Sequence, residues 1–227
     1  MEIRLHYVEK GSGTPLIFLH GNGEDHSYFT RQIEFFSGKY RVIAVDTRGH
    51  GCSPRGEKPF TIRQFAEDLY DFLEEHAISK AHILGFSDGA NIAIVFALRH
   101  PERVDRLILN GANLNPQGVR ASTQIPVLIG YKIASLFAKR WAGAMKNAEM
   151  LGLMVNDPHI VPEALEGISA RTLVLAGTKD MIKEKHTIQI YEHLPNAELT
   201  FLSGGHFIAA KNAPAFNAAV WDFLEKT

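Results

Sequence analysis

The sequence predicts an α/β fold with a mostly parallel central sheet, helices on both faces of the sheet and a short helical cap. Two observations support this prediction. Short apolar runs alternate along the chain with longer amphipathic segments, which is the pattern of parallel strands connected by helices. The alternation stops at about residue 113 and resumes at about residue 170, so one segment lies outside the sheet.

Seven stretches have the composition of strands. Residues 3–8 alternate apolar and polar side chains, which is typical of a strand with one buried face. The others are mostly continuous apolar runs such as RVIAV, which indicate strands buried on both faces of a parallel sheet. The predicted strands cover residues 3–8, 16–19, 41–45, 81–84, 104–109, 172–176 and 198–202.

The segments between these strands carry apolar residues at helical spacing. One helix begins at Thr61, a favourable N-cap residue, and Gln64 completes a predicted capping box. Pro101 marks the end of another helix. The predicted helices of the alternating part cover residues 27–37, 61–76, 87–99, 183–193 and 212–225.

The segment from residue 113 to residue 169 contains no strand that continues the series. A structureless loop of this length is uncommon inside a compact domain. Residues 126–138 and 140–154 have helical character. We therefore predict a helical cap at 113–169, inserted into one core domain formed by residues 1–112 and 170–227.

The composition predicts a soluble, cytoplasmic globular protein. The chain has 227 residues, 45% of them hydrophobic and 22% charged, as in ordinary globular domains. Its formal net charge of −1 gives no electrostatic basis for binding nucleic acid or an anionic membrane. The charged N-terminus lacks the apolar region of a signal peptide, and no apolar run is long enough to span a bilayer. The single cysteine, Cys52, excludes an intramolecular disulfide.

Reactive residues follow the strands at the edge of the sheet where open α/β folds bind ligands. HILGFSDGAN places Ser87 between Gly85 and Gly89, at the junction of a strand and a helix. Asp180 follows the next-to-last strand, and His206 follows the last one. The sequence thus predicts a Ser, an Asp and a His at one edge of the sheet, in this chain order.

These three residue types together form a nucleophilic site. A Gly-x-Ser-x-Gly sequence between a strand and a helix forces a tight turn that exposes the hydroxyl. The hydroxyl needs an imidazole as base and a carboxylate to orient the imidazole. We assign these catalytic roles to Ser87, His206 and Asp180. The alternatives are an N-cap serine, a surface histidine and a turn aspartate.

Acyl transfer also requires hydrogen-bond donors for the oxyanion. We predict that the backbone N–H groups of Asp88 and Asn22 form this oxyanion hole, with Gly23 as the alternative to Asn22. The carboxylate of Asp88 has two candidate roles. It stabilises the first turn of the helix, or it binds a substrate amine, with Glu24 and Asp25 at the same mouth.

Large apolar side chains of the cap are candidates for substrate binding. The alternative is that they form the core of the cap itself, which is the commoner use of such residues. A short cap of this composition favours a small to medium, fairly apolar substrate. The candidate lining residues are Tyr131, Phe137, Trp141, Met145 and Leu153.

With these residues identified, the chain resembles the α/β-hydrolase superfamily from about residue 3 to its end. The motifs that carry the resemblance are HGNG (20–23), DTRGHGCS (46–53), GFSDG (85–89), AGTKDMI (176–182) and GGHF (204–207). GFSDGAN followed by RHPERVDRLILNGAN is similar to the branch of biphenyl hydrolase-like serine esterases, including the valacyclovir hydrolase type. The resemblance implies eight strands with the second antiparallel, although the residues before HGNG have room for only one or two. It also implies that Arg48 braces loops near the site.

The triad and the resemblance together predict a serine hydrolase that cleaves a small to medium carboxylic ester through an acyl-enzyme. The triad needs no cofactor, and the sequence has no motif of clustered metal ligands. Alternatives are C–C, amide or lactone hydrolysis, a menaquinone-pathway-type elimination, and a ligand sensor with slow turnover. The elimination stays open because its polyanionic substrate requires cations, which the cap supplies. Those cations are Lys132, Lys139, Arg140 and Lys146. We expect a small-molecule ester-like substrate, no nucleic acid or membrane partner, and a monomer or homodimer.

Overall fold

A computed structural model describes residues 2–226 of the chain. Its strands are β1 (Tyr7–Lys10), β2 (Pro15–Leu19), β3 (Arg41–Val45), β4 (Ala81–Phe86), β5 (Val104–Asn110), β6 (Arg171–Gly177) and β7 (Ala197–Leu202). They form one sheet in the order β1-β3-β2-β4-β5-β6-β7. All neighbouring strands are parallel except β1, which pairs antiparallel with β3. The predicted fold class is confirmed, with seven strands in residues 2–226 where the resemblance implied eight.

Helices cover both faces of the sheet. They are α1 (Thr30–Phe36), α2 (Ile62–Glu75), α3 (Asp88–Arg99), α4 (Ala121–Phe137), α5 (Ala142–Asn156), α6 (Glu184–Glu192), α7 (Ile208–Lys211) and α8 (Ala213–Glu225). Alternate residues of β2 point to opposite faces, as the period of a strand requires. Ile17 and Leu19 join the apolar cluster beneath α2 and α3. Leu16 and Phe18 join the cluster beneath α1 and α8.

Several local predictions differ from the structure. Helix α4 begins at Ala121 and contains Pro126, where the sequence predicted the start of the helix. The first strand begins at Tyr7, although the residues before it, Ile3 and Leu5, are buried against the core. Thr61 caps α2 through its hydroxyl, which accepts a hydrogen bond from the N–H of Gln64, but the side chain of Gln64 bonds to Asp68, so the capping box is incomplete. The predicted last helix at 212–225 is preceded by α7, a separate single turn.

Helices α4 and α5 form a hairpin between β5 and β6. Helix α5 holds the hairpin on the core. Its Leu153 is buried in the apolar cluster beneath α2 and α3, and its Glu149 accepts hydrogen bonds from Arg55 at 2.5–3.0 Å. Every residue of α4 is described and none of them is buried. The division of the chain into a core and a cap stays an interpretation of this arrangement. Within residues 2–226 no helix is long and apolar enough to cross a membrane.

Parallel strands bring their carboxyl ends to one edge of the sheet. His20 follows β2, and Ser87 follows β4. Asp180 follows β6, and His206 follows β7. The topology therefore brings four polar residues from distant parts of the chain to the same edge of the sheet.

Candidate active site

Ser87 sits on a strained turn between β4 and α3. Its backbone has φ 53° and ψ −118°, a left-handed conformation that a non-glycine residue adopts at a cost of about 1–3 kcal/mol. Its side chain makes no capping hydrogen bond to α3. Ser87 therefore occupies the N-cap position of α3 without capping it through its hydroxyl, and the turn holds the hydroxyl above the helix N-terminus.

The two glycines of GFSDG are needed because the strand and the helix approach closely. A Cβ atom at Gly85 would lie 2.3 Å from the carbonyl oxygen of Gly89. A Cβ atom at Gly89 would lie 2.0 Å from the carbonyl oxygen of Leu19 on the neighbouring strand. Any side chain at either position would push α3 off the sheet.

His206 links Ser87 to Asp180 by two hydrogen bonds. Nδ1 of His206 lies 2.7 Å from Oδ1 of Asp180, and Nε2 lies 2.9 Å from Oγ of Ser87. Since a carboxylate only accepts, Nδ1 carries the proton and Nε2 is left to accept the hydroxyl proton of Ser87. Both Asp180 and His206 are buried, so this chain of hydrogen bonds is shielded from water.

The environment of Asp180 favours the carboxylate form. Burial by itself would raise the pKa of this group, but the hydrogen bond and charge of His206 outweigh burial and lower the pKa below its ordinary value. The backbone N–H groups of Ile182 and Gly177 also donate to the carboxylate, at 2.9 and 3.4 Å. Asp180 is thus an ionised acceptor that fixes the orientation of His206.

The imidazole of His206 is held between Phe86 and Gly111. The ring centroids of His206 and Phe86 are 4.8 Å apart. A Cβ atom at Gly111, which has φ 66°, would lie 2.8 Å from Cε1 and 3.0 Å from Nδ1 of His206. Sequence reasoning missed Gly111, because only its position after β5 pointed to the site.

The loop after β2 contains the predicted oxyanion donor Asn22. Within residues 2–226, the backbone N–H groups of Asn22 and Asp88 donate to no protein acceptor, as the predicted oxyanion hole requires. His20, the first residue of the HGNG motif, was given no role of its own by the sequence, and it supports this loop. Its Nε2 accepts from the N–H of Thr47 at 3.0 Å, and its Nδ1 bonds to the carbonyl of Gly21 at 2.7 Å. Burial lowers the pKa of His20 to about 4, so the ring is neutral.

The carboxylate of Asp88 is enclosed by amide side chains. The residue is only 7% exposed. Oδ2 accepts from Nδ2 of Asn22 at 2.9 Å, and Oδ1 accepts from Nδ2 of Asn91 at 3.4 Å. Burial raises the pKa of Asp88 to about 6, although the hydrogen bond from Asn22 opposes the shift.

The neighbouring acids have local roles in the structure. Glu24 is half-buried and accepts from the N–H of Gly21 at 3.3 Å, and burial raises its pKa to about 7. Asp25 accepts from the N–H of Ser27 at 2.8 Å and caps a single helical turn. Each carboxylate therefore already has a hydrogen-bond donor within the chain.

Asn22 also connects the catalytic core to α5. Its Nδ2 donates to the main-chain carbonyl of Met150 at 2.7 Å, in addition to the bond to Asp88. One amide group thus joins the oxyanion loop, the nucleophile helix α3 and helix α5. Nothing in the sequence around Met150 indicated this contact.

The five candidate lining residues lie in three different environments. Leu153 is buried in the apolar cluster beneath α2 and α3. Tyr131 and Met145 line a groove of about 460 Å³ between α4, α5 and the turn before α2. Phe137 and Trp141 stack on each other at the exposed turn between α4 and α5, with ring centroids 5.4 Å apart. The structure does not bring the five together around one pocket.

Arg48 braces the loops beneath the site, as the resemblance implied. Its side chain is fully buried and makes two hydrogen bonds of 2.7 Å to Asp68 on α2. It also donates to Glu2 at 3.1 Å and to the carbonyl of Arg55 at 2.9 Å. Because Arg55 in turn binds Glu149, this brace reaches the attachment of α5.

Comparison with known proteins agrees with the fold. Residues 14–128 match the model of the α/β-hydrolase fold family. The human serine hydrolase BPHL is 25% identical, with 98% of this chain and 84% of that protein covered. The 2-hydroxy-6-oxo-6-phenylhexa-2,4-dienoate hydrolase of Burkholderia cepacia is 28% identical, with coverage of 97% and 91%.

A solved structure extends the likeness to the whole fold. The enol-lactonase of Burkholderia xenovorans superposes with a TM-score of 0.83 and covers 99% of this chain and 97% of its own. Because the two sequences are only 22% identical, this likeness supports the fold and nothing about the activity.

Proposed function

Because this chain belongs to the α/β-hydrolase family, we propose that it is a serine hydrolase that cleaves a small to medium carboxylic ester. The observation that supports the proposal is the hydrogen-bonded chain from Asp180 through His206 to Ser87, with Ser87 on a strained turn. A serine that only capped a helix would have neither the base nor the backbone strain.

In the first half of the reaction, Oγ of Ser87 attacks the ester carbonyl while Nε2 of His206 accepts the hydroxyl proton. The carboxylate of Asp180 stabilises the imidazolium that forms. The N–H groups of Asn22 and Asp88 donate to the oxyanion. His206 then gives its proton to the departing alcohol, and the acyl group stays on Ser87.

In the second half, a water molecule takes the place of the alcohol. Nε2 of His206 accepts a proton from this water as it attacks the acyl carbonyl. The same N–H groups of Asn22 and Asp88 bind the second oxyanion. Collapse of the intermediate releases the acid and returns the proton to Ser87.

Cations do lie near the triad. Arg120 donates to the main-chain carbonyl of Asp180 at 2.8 Å, and Arg120 and Lys179 line a groove of about 450 Å³ beside Asp180. The charge of the substrate is therefore a question for the assay below. The relatives act on a range of bonds, including the one cleaved by the phenylhexadienoate hydrolase and the lactone of 3-oxoadipate enol-lactonase 2 from Acinetobacter baylyi. The bond that this chain cleaves is therefore decided by assay.

The experiment is a panel of p-nitrophenyl esters of increasing acyl length, with neutral and anionic acyl groups, a lactone and an amide. We expect steady turnover that is fastest with neutral short or medium esters and falls by at least about 10³-fold in Ser87→Ala. A burst without turnover would instead indicate a ligand sensor. Ester turnover that persists in Ser87→Ala would overturn the assignment of the nucleophile.

We also propose that the carboxylate of Asp88 positions Asn22 and does not bind a substrate amine. The supporting observation is its low exposure and its two amide donors. The test compares an amino-acid ester with its des-amino analogue in the wild type and in Asp88→Asn. We expect the same ratio of kcat/KM in both proteins. A preference for the amine that disappears in Asp88→Asn would contradict the positioning role.

A further inference from the structure

The outer face of α4 is an apolar surface that no part of residues 2–226 covers. We define it by Ile125, Ile129, Ile133 and Leu136, each of which is more than half exposed. The spacing of these residues by three or four positions places them on one side of the helix. Contiguous apolar surface of this kind on a soluble domain marks an interaction site.

This face points away from the rest of the protein because α4 packs almost entirely on α5. The contacts to α5 come from the opposite side of α4, where Gly130 faces Leu151 and Tyr131 faces Gly152. The outer face therefore contributes nothing to the packing of the hairpin. The exposed apolar surface therefore includes a whole side of the helix and not one side chain alone.

Three cations lie on α4 or on the turn that follows it. They are exposed and form no ion pair with any residue in 2–226: Lys132, Lys139 and Arg140. Lys146 on α5 lies near His50, on the side toward the core. No Asp or Glu occurs between residues 120 and 148. The expectation of no membrane partner rested on the net charge of −1, which conceals this local excess.

Aromatic side chains lie at the end of the same face. Phe137 and Trp141 stack on each other, and Trp141 is 64% exposed. Trp is enriched where a protein meets the boundary between water and lipid. An apolar helix face with a basic rim and such an aromatic pair has the composition of an interfacial helix that lies in the plane of a membrane.

We propose that the outer face of α4 docks on an anionic phospholipid surface. Ile125, Ile129, Ile133 and Leu136 would enter the acyl boundary while Lys132, Lys139 and Arg140 bind lipid phosphates. A second copy of the chain fits less well, because a two-fold contact across α4 would bring two basic rims together. The proposal is independent of the ester hydrolysis proposed above.

The test is co-sedimentation with vesicles of phosphatidylcholine alone and of phosphatidylcholine mixed with phosphatidylglycerol. We expect the wild type to bind only the anionic vesicles and to dissociate at high salt. The triple variant Ile129→Ser, Ile133→Ser, Leu136→Ser should bind at least about tenfold more weakly. Val161→Ser removes an equally exposed apolar side chain elsewhere and should bind as the wild type does.

A charge variant keeps the proposal testable if the serine variant fails to fold. Lys132→Gln with Lys139→Gln should weaken binding by about fivefold per charge removed. Lys58→Gln with Lys185→Gln, which changes two exposed lysines outside the hairpin, should have no effect. In a Trp221→Phe background, the emission of Trp141 should shift to shorter wavelength when anionic vesicles are added.

Three results would overturn the proposal. One is a failure to bind either kind of vesicle, and another is equal binding to both that ignores the charge variant. The third is a dimer in sedimentation velocity that the triple serine variant dissociates, since a second copy would then cover the face. Circular dichroism and urea unfolding of each variant are the folding controls, so that loss of the fold is recognised whether or not the chain hydrolyses esters.

Discussion

At the scale of single residues, the strained backbone of Ser87 holds the hydroxyl in place for catalysis but lowers the stability of the folded chain. Glycine adopts φ 53° without the steric cost that alanine and serine incur. We expect Ser87→Gly to be more stable than Ser87→Ala by about 1–2 kcal/mol, with both variants inactive. Urea unfolding monitored by circular dichroism measures the difference. If the two variants were equally stable, the turn would not be strained.

The orientation of His206 depends on the acceptor at Asp180. In Asp180→Asn, the amide is able to donate to Nδ1, which favours the wrong tautomer of the imidazole. We expect kcat to fall by about 10⁴-fold with little change in KM. Asp222→Asn, on the outer part of α8, is the matched control and should retain full turnover. A loss of tenfold or less in Asp180→Asn would indicate another orienting acid.

Gly111 limits the space beside His206. A methyl group there would contact the imidazole and would also require a strained backbone, so Gly111→Ala should lose at least about tenfold in kcat and about 1–2 kcal/mol in stability. Gly143→Ala is the control, because a Cβ atom at that position in α5 meets nothing within 4 Å. That variant should be as stable as the wild type or more so. Equal behaviour of the two variants would remove the role assigned to Gly111.

At the scale of secondary structure elements, α5 is anchored by the ion pair of Arg55 with Glu149. We expect Glu149→Gln to loosen the α4–α5 hairpin and to accelerate cleavage by trypsin after Lys139 and Arg140. Glu67→Gln breaks a comparable exposed pair with Arg99 on the core and should not change cleavage of the hairpin. Mass spectrometry of timed digests identifies the cleaved bonds. Similar rates in both variants would show that the pair does not hold α5.

Elements with a strong local signal could be predicted from the sequence. RVIAV became β3 with the predicted bounds, since a run of buried β-branched residues has few alternatives in a parallel sheet. The predicted bounds of the first strand, residues 3–8, were wrong. Alternation of apolar and polar side chains indicates which side chains are buried, but it does not indicate which residues pair with a neighbouring strand. Ile3 and Leu5 are buried as expected, but pairing with β3 begins only at Tyr7.

At the scale of the whole molecule, the stability should depend on the ionisation of Asp88. The pKa of Asp88 in the folded chain is raised to about 6, from 3.8 in the unfolded chain. The protonated carboxyl therefore contributes its full stabilisation of the folded state below about pH 3.8, and this stabilisation is lost as the pH rises through about 6. A shift of about two pKa units corresponds to about 3 kcal/mol. We expect Asp88→Asn to gain stability relative to the wild type between pH 4.5 and 7.5.

Urea unfolding of both proteins across this pH range measures the effect. Glu24 acts in the same direction at higher pH, because its pKa is raised to about 7, but its contribution cancels in the difference between the two proteins. Parallel stability curves for the wild type and Asp88→Asn would show that Asp88 does not titrate in this range.

The candidate site could be predicted only where the chain places reactive residues at strand ends. Ser87, Asp180 and His206 each follow a strand, so topology alone brings them together. The contact of Asn22 with Met150 links residues 128 positions apart and has no sequence signature. Such contacts depend on how α5 sits on the core, which local patterns do not encode.

That contact has an evolutionary consequence. The oxygen that accepts from Asn22 belongs to the main chain of Met150, so the link persists whichever amino acid occupies position 150. Homologues are free to vary there without losing it, and a saturation mutagenesis of that codon would not detect it. A one-residue insertion or deletion within α5 would break it, because the insertion or deletion rotates the carbonyl by about 100°.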